Sequence, residues 1–237
     1  MPQSPILVTG GAQRLGRYCA ERLLEDGHPV IITYRRPRAA VEALRARGVI
    51  AVQADFSSEA GILEFIETLH SLTPSLRAIV HNASRWQADH SDASMGAEFE
   101  LMFRVHMLAP YLINLKARDL LDACTEPMRD IVHISDFSAS KGSRHHSAYA
   151  STKAGMENLT RSFAARFAPS IKVNSIAPAA IMLNTDDDEA YAASLRDKSV
   201  LEAIPGPSVI WEGLRYLLDA RFVTGSTLAI DGGRNVK

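Results

Sequence analysis

Ile6-Leu-Val-Thr9-Gly10-Gly11-Ala12-Gln13-Arg14-Leu15-Gly16 is the stretch that decides the fold. A short apolar run ends in paired glycines. Leu15, Cys19, Leu23 and Leu24 then recur at helical spacing until Gly27. This reads as strand, glycine turn, helix. Gly10 permits the tight turn, and Gly16 lets the helix lie close to the strand. A helix that starts here aims unpaired N–H groups and the positive end of its dipole at the turn, a setting for a pyrophosphate. Following the first strand directly, the spacing predicts a dinucleotide site rather than a plain strand-to-helix turn.

The same alternation continues outward. Val30 to Tyr34 is a second strand, with Arg35, Arg36 and Arg38 crowded at its end. An acidic residue there would hold the 2′-hydroxyl of NAD, whereas arginines suit a 2′-phosphate, so NADPH is expected over NADH. A helix through Val41 and Leu44 leads to a third strand, Val49 to Ala54, followed by Asp55 and Phe56. Asp55 could contact the adenine or cap the next helix with Ser57 and Ser58. Ile62, Phe65, Ile66 and Leu69 form that helix's buried stripe. Ala78 to His81 is a fourth strand, whose end passes into Asn82-Ala83-Ser84.

Trp86 follows in a polar loop, either as a packing residue or as a platform for a flat ligand. Phe99 to Ala123 is expected as one long helix, kinked at Pro110, with His106 facing away from part of its apolar stripe. Ile131 to Ser135 and Lys172 to Ile176 are the fifth and sixth strands. Thr185 to Pro207 is polar, proline-interrupted and without strand character, which suits a substrate lid or a solvated excursion. A last helix, Val209 to Leu218, precedes a last strand, Thr227 to Asp231. Strands alternate with helices without a composition break. The expected fold is therefore α/β: one Rossmann domain over residues 1–237, with a doubly wound, parallel, seven-stranded sheet and a lid at about 182–207.

Asp136 to Lys153 carries the candidate chemistry. Tyr149 and Lys153 stand four apart, on one face of a helix that opens in this segment. An ammonium beside a phenol lowers the phenol's pKa from ~10 toward working pH and makes a reloadable proton donor. The pair alone would also suit an ordinary helix surface.

Composition narrows the classes. The chain has 237 residues, 46% hydrophobic and 22% charged, enough for a substantial core. A net charge of -1 gives no electrostatic hold on nucleic acid or on an anionic membrane. Cys19 and Cys124 read as buried small hydrophobes rather than a disulfide framework. No metal site is expected. Met1 to Pro5 shows no leader, and no apolar run approaches the ~20 residues of a membrane helix, which points to the cytoplasm.

Thr9-Gly10 with Gly16, Asn82-Ala83-Ser84, Tyr149 with Lys153, and Asn174-Ser-Ile-Ala-Pro178 resemble, in order and spacing over nearly the whole chain, the short-chain dehydrogenase/reductases. Arg14 in the cofactor loop, and Asp136 in place of the serine usual thirteen residues before the tyrosine, resemble the family's pteridine reductase branch. His106 stands where much of the family has an asparagine in its proton relay.

The resemblance implies NADPH contacts at Gly10, Gln13, Arg14, Leu15, Tyr34, Arg35, Arg36, Asp55, Phe56, Asn82, Ala83, Ser84, Tyr149, Lys153, Pro178, Ala180 and Ile181. It implies Asp136, Tyr149 and Lys153 as the catalytic group, and pterin contacts at Arg14, Ser84, Trp86, Asp136 and Tyr149. The implied reaction is hydride transfer to the N5=C6 bond of a dihydropterin such as 7,8-dihydromonapterin, with weaker action on dihydrofolate. A homotetramer is also implied, and Arg234 could reach a neighbouring subunit's site. Two rivals remain: a ketone or 3-ketoacyl reductase, which Asp136 disfavours, and a non-catalytic NADP(H) sensor, which intact Tyr149 and Lys153 disfavour.

Overall fold

The computed structural model describes residues 4–237; Met1–Gln3, and with them part of the stretch read as lacking a leader, lie outside the described residues. Seven parallel strands form one sheet in the order β3-β2-β1-β4-β5-β6-β7. They are β1 (Ile6–Val8), β2 (Val30–Tyr34), β3 (Ile50–Gln53), β4 (Ala78–His81), β5 (Asp130–Ile134), β6 (Lys172–Pro178) and β7 (Thr227–Ile230). The doubly wound architecture expected from the sequence is present. The chain winds outward from β1 in one direction through β2 and β3, then restarts at β4 on β1's other side. Where the winding reverses, the loops after β1 and β4 diverge and leave a crevice at the strands' carboxyl ends.

Alternation along the strands splits the core into two layers. Ile6 and Val8 face one side, with Leu23 of α1 (Arg14–Glu25), Leu44 of α2 (Ala39–Ala46) and, further along the chain, Leu214 of the last helix. Leu7 faces the other side, with Phe65 of α3 (Glu59–Leu72), Ile113 and Phe163. Strands buried on both faces read as continuous apolar runs, as these do.

The segment expected as one helix is four pieces. It begins earlier, as α4 (Met95–Phe103), widens into a π turn at Arg104–Leu108, and continues as α5 (Ala109–Lys116) and α6 (Arg118–Asp122). Ala109 donates to the carbonyl of Arg104, five residues back. Pro110 then falls in the first turn of α5, where its missing N–H costs least. The wide turn carries His106, which is fully buried.

The remaining helices are α7 (Ser138–Lys141), α8 (Ser147–Phe167), α9 (Glu189–Asp197) and α10 (Ser208–Asp219). The helix α9 lies within the segment expected as a lid. At the sheet's opposite end, buried Asp130 pairs with Arg77 at 2.6 Å and Lys172 at 3.0 Å. These two cations also donate to the carbonyls of Leu218 (3.2 Å) and Leu217 (2.8 Å), groups that the last turn of α10 cannot satisfy itself. No helix among the described residues is long and apolar enough to cross a membrane.

Candidate active site

The crevice at the winding reversal is a cleft of about 430 Å³. Its walls include the glycine turn, the end of β2 with Tyr34, Arg35, Arg36 and Arg38, then Asp55 and Phe56, and the stretch from Asn82 to Trp86. Gly10 sits at φ +64°, and a Cβ at Gly16 would lie 2.4 Å from the Gly10 carbonyl oxygen. Both glycines are therefore required where the sequence places them. Gln13 precedes α1 in extended conformation, makes no side-chain cap, and no acidic residue occupies the helix's first turn. The helix's leading N–H groups are thus left for an anion. Arg14 adopts φ +48°, and its guanidinium bonds the side chain of Asn184, tying the glycine turn to the start of the segment expected as a lid.

Asn82 holds this turn together. Its Nδ2 donates to the carbonyls of Thr9 (3.0 Å) and Gly10 (3.2 Å). Thr9 Oγ1 in return accepts the backbone N–H groups of Asn82 and Ala83, both at 3.0 Å. Of the two readings of Asp55, the capping one falls to Ser58 instead. Asp55 lines the cleft and accepts the N–H of Ser57 at 2.9 Å, while Ser58 supplies the helix cap, accepting from Gly61 at 3.1 Å. Tyr34 lies under the Arg45 guanidinium, 5.7 Å from its ring centroid.

Tyr149, in the first turn of α8, is buried and donates its hydroxyl to Asp136 Oδ2 at 3.3 Å. The other carboxylate oxygen of Asp136 accepts the N–H of Ser138 at 2.9 Å. Lys153 lies one turn along the same face, its Nζ 5.7 Å from the Tyr149 ring centroid and donating to the carbonyl of Ile134 at 2.8 Å. The expectation of an acidified phenol is corrected here. Burial and the adjacent Asp136 carboxylate hold Tyr149 well above its ordinary value, so the phenol keeps its proton at neutral pH. Burial lowers Lys153 to about 8, with Asp136 opposing the shift.

Pro178 accepts the N–H of Phe137 at 3.0 Å, which ties the end of β6 to the residue after Asp136. Ala180 is half-buried, and Ile181 is buried, its carbonyl accepting from Gly206 at 2.8 Å across the base of the segment expected as a lid. Arg234 stacks on Phe137 of its own chain, 4.5 Å from the ring. Trp86 is 63% exposed at the cleft, so it is not a core packing residue, and its ring lies 4.8 Å from that of His146.

Three contributors escaped the sequence reading. Asp89 accepts from the N-terminus of α8, His146 backs Trp86, and Thr152 bonds His106. His106 Nδ1 lies 2.8 Å from Thr152 Oγ1, and Nε2 lies 2.9 Å from Ser84 Oγ. No sequence spacing links these partners, which come from separate loops and helices. Among the described residues no group of three His, Cys, Asp or Glu could hold a metal ion.

Comparison with known proteins matches residues 10–235 to the family model described as Enoyl-(Acyl carrier protein) reductase. The dihydromonapterin reductase of Klebsiella pneumoniae subsp. pneumoniae is 44% identical over 233 residues, spanning 98% of this chain and 97% of that protein. The enzyme of the same name from Escherichia coli O6:K15:H31 is 40% identical over the same shares. Among solved structures, FolM alternative dihydrofolate reductase 1 from Brucella canis, complexed with NADP, superposes with a TM-score of 0.89. It is 28% identical, and the match covers 100% of this chain and 95% of that one.

Proposed function

The chain belongs to the short-chain dehydrogenase/reductase family, and we propose that it uses NADPH to reduce the N5=C6 bond of a dihydropterin. The preferred substrate in this reading is 7,8-dihydromonapterin, with dihydrofolate turned over more slowly. The observation that carries it is the Asp136 carboxylate within hydrogen-bond reach of the Tyr149 hydroxyl. A serine there would suit a ketone oxygen. A carboxylate accepts from ring N–H and amino groups and supports proton delivery to nitrogen. The names of the relatives agree with this reading.

The residues present fit the cofactor. The glycine cradle and the uncapped start of α1 suit a pyrophosphate, and Arg35, Arg36 and Arg38 suit a 2′-phosphate. When bound, NADPH supplies the hydride to C6. The chain's own residues manage the proton. Tyr149 enters the cycle as a neutral phenol, Asp136 draws its hydroxyl into a fixed direction, and Lys153 holds a positive charge on the same helix face. One proton from this group goes to N5 as the substrate is reduced, and solvent restores it. Trp86, held by His146, offers its face to the bicyclic ring.

The same reading takes residues 182–207 as a lid that Arg14 anchors through Asn184. It takes residues 1–237 as one cytoplasmic NADP-binding domain that assembles as a homotetramer. The test is NADPH oxidation with dihydromonapterin, dihydrobiopterin, dihydrofolate and a ketone panel side by side. Dihydromonapterin should be fastest. Turnover confined to ketones would overturn the assignment.

A further inference from the structure

His106 is a buried titratable group that this chemistry leaves unused, and its neighbours fix where its proton sits. The backbone N–H of Arg85 points at Nε2 across 3.1 Å. An amide N–H only donates, so Nε2 carries no hydrogen and the ring is neutral, as its complete burial also favours. The one ring proton is on Nδ1 and goes to Thr152 Oγ1 at 2.8 Å. Thr152 gives its own hydroxyl proton to the carbonyl oxygen of Tyr149, also at 2.8 Å. The chain of bonds ends on that backbone acceptor and offers no path for a relay.

The other end of the chain reaches the cleft. Ser84 Oγ lies 2.9 Å from the bare Nε2, and only the serine has a proton to give across that contact. Its hydrogen is turned inward, which leaves its lone pairs to the cleft wall it forms. A serine free to rotate donates readily to a carbonyl oxygen; this one gains a bond by keeping its proton turned to Nε2, which biases it toward accepting at the cleft.

We propose that His106 is a positioning residue that fixes Ser84 as a hydrogen-bond acceptor, so that this wall selects flat rings presenting an N–H or amino donor over ketones and acyl thioesters. The inference rests on the dihydropterin reading above and adds a source of selectivity to it. A pterin brings donors to the serine's lone pairs. A ketone brings only another lone pair, and the mismatch leaves polar groups unpaired in the closed site.

The test compares the unmodified enzyme with His106→Asn, using saturating NADPH and two substrates, a dihydropterin and a vicinal diketone with no N–H. Asparagine can donate to Ser84, which frees the hydroxyl to turn outward. The expected result is a rise of about tenfold in KM for the dihydropterin, with kcat for it changed much less and kcat/KM for the diketone increased. An unchanged preference between the two substrates overturns the inference. Because a buried substitution can block folding, the unmodified protein is also examined by nitrogen NMR with labelled histidine. A proton on Nδ1 of His106 is expected, and a proton on Nε2 overturns the inference whatever the variant does. Absence of dihydropterin turnover in the unmodified enzyme would instead sink the functional reading, while the NMR result still decides the state of His106.

Discussion

Asp89 accepts both the backbone N–H and the hydroxyl of Ser147, each at 2.6 Å, and the N–H of Ala148 at 3.3 Å. It caps α8 from a different loop, the one that also carries Trp86. These bonds hold its carboxyl below the usual range. Tyr149 stands two residues into the helix so capped, and one clip therefore spaces Trp86 from the phenol.

Asp89→Ala should loosen that spacing. Loss of a cap costs about 1 kcal/mol, which for a chain of this size lowers Tm by roughly 2–4 °C. The kcat for dihydropterin should fall about tenfold, the scale expected when reacting groups lose orientation. Asp89→Asn keeps an acceptor oxygen and should recover most of both. Thermal melts and steady-state kinetics check this, and an unchanged kcat would show that the clip does not orient the site.

Asp136→Ser tests the proton arrangement. It removes the carboxylate that raises Tyr149, so the phenol's pKa should drop. Dihydropterin turnover should fall by ~100-fold while the Kd for NADPH stays unchanged, and Tyr149→Phe should cost at least as much. Fluorescence titration with NADPH and stopped-flow turnover separate the two effects. Undiminished pterin reduction in Asp136→Ser would refute the role given to the carboxylate.

Arg35 and Arg36 are exposed at the cleft's rim. Replacing both with alanine should raise KM for NADPH by ~10–100-fold, since each contact with a 2′-phosphate is a charge-assisted hydrogen bond. KM for NADH should barely move. Equal losses for the two cofactors would mean that the arginines act on something other than the 2′-phosphate.

Acid should destabilise the fold through its buried histidines. His81 donates to Asn114 at 2.7 Å, and Asn114 donates to His133 at 3.3 Å. Burial lowers His81 to about 4 and pushes His133 and His106 well below their ordinary value. Above pH ~6.5 both folded and unfolded rings are neutral, and the stability is complete. Below ~6.5 the unfolded chain binds protons that the folded chain refuses, so stability falls as pH falls toward 4. At pH 5, His81 alone accounts for a loss of about 2 kcal/mol. Urea midpoints from pH 7.5 to 5.0 should decline, and more gently in His81→Gln. A parallel decline in that variant would place the proton uptake elsewhere.

The sequence made the scaffold legible because its signals are local. Apolar runs, the glycine turn and helical stripes each report on neighbours a few residues away, and all seven strands appear where those runs lie. Tyr149 and Lys153 share a face for the same reason. Electrostatics was less legible. Four-residue spacing announces an ammonium near a phenol, but not that Ile134 engages the ammonium or that burial governs the phenol. The partners of His106 and the Asp89 cap depend on how distant loops meet, which no periodicity encodes. The π turn was hidden because Pro110 suggested a kink, while the chain absorbs the missing N–H by widening ahead of it.

That wide turn makes the site sensitive to length as well as to chemistry. A π segment accommodates one residue more than a regular helix would over the same rise. Deleting a single residue between Arg104 and Leu108 would let the helix close into an ordinary spiral with its two flanks still in register, so the disturbance would fall on the wide turn itself. The imidazole, carried on that turn, would then lose its seat between Ser84 and Thr152 while its neighbours stayed in place, so that a one-codon omission empties a position without altering any partner.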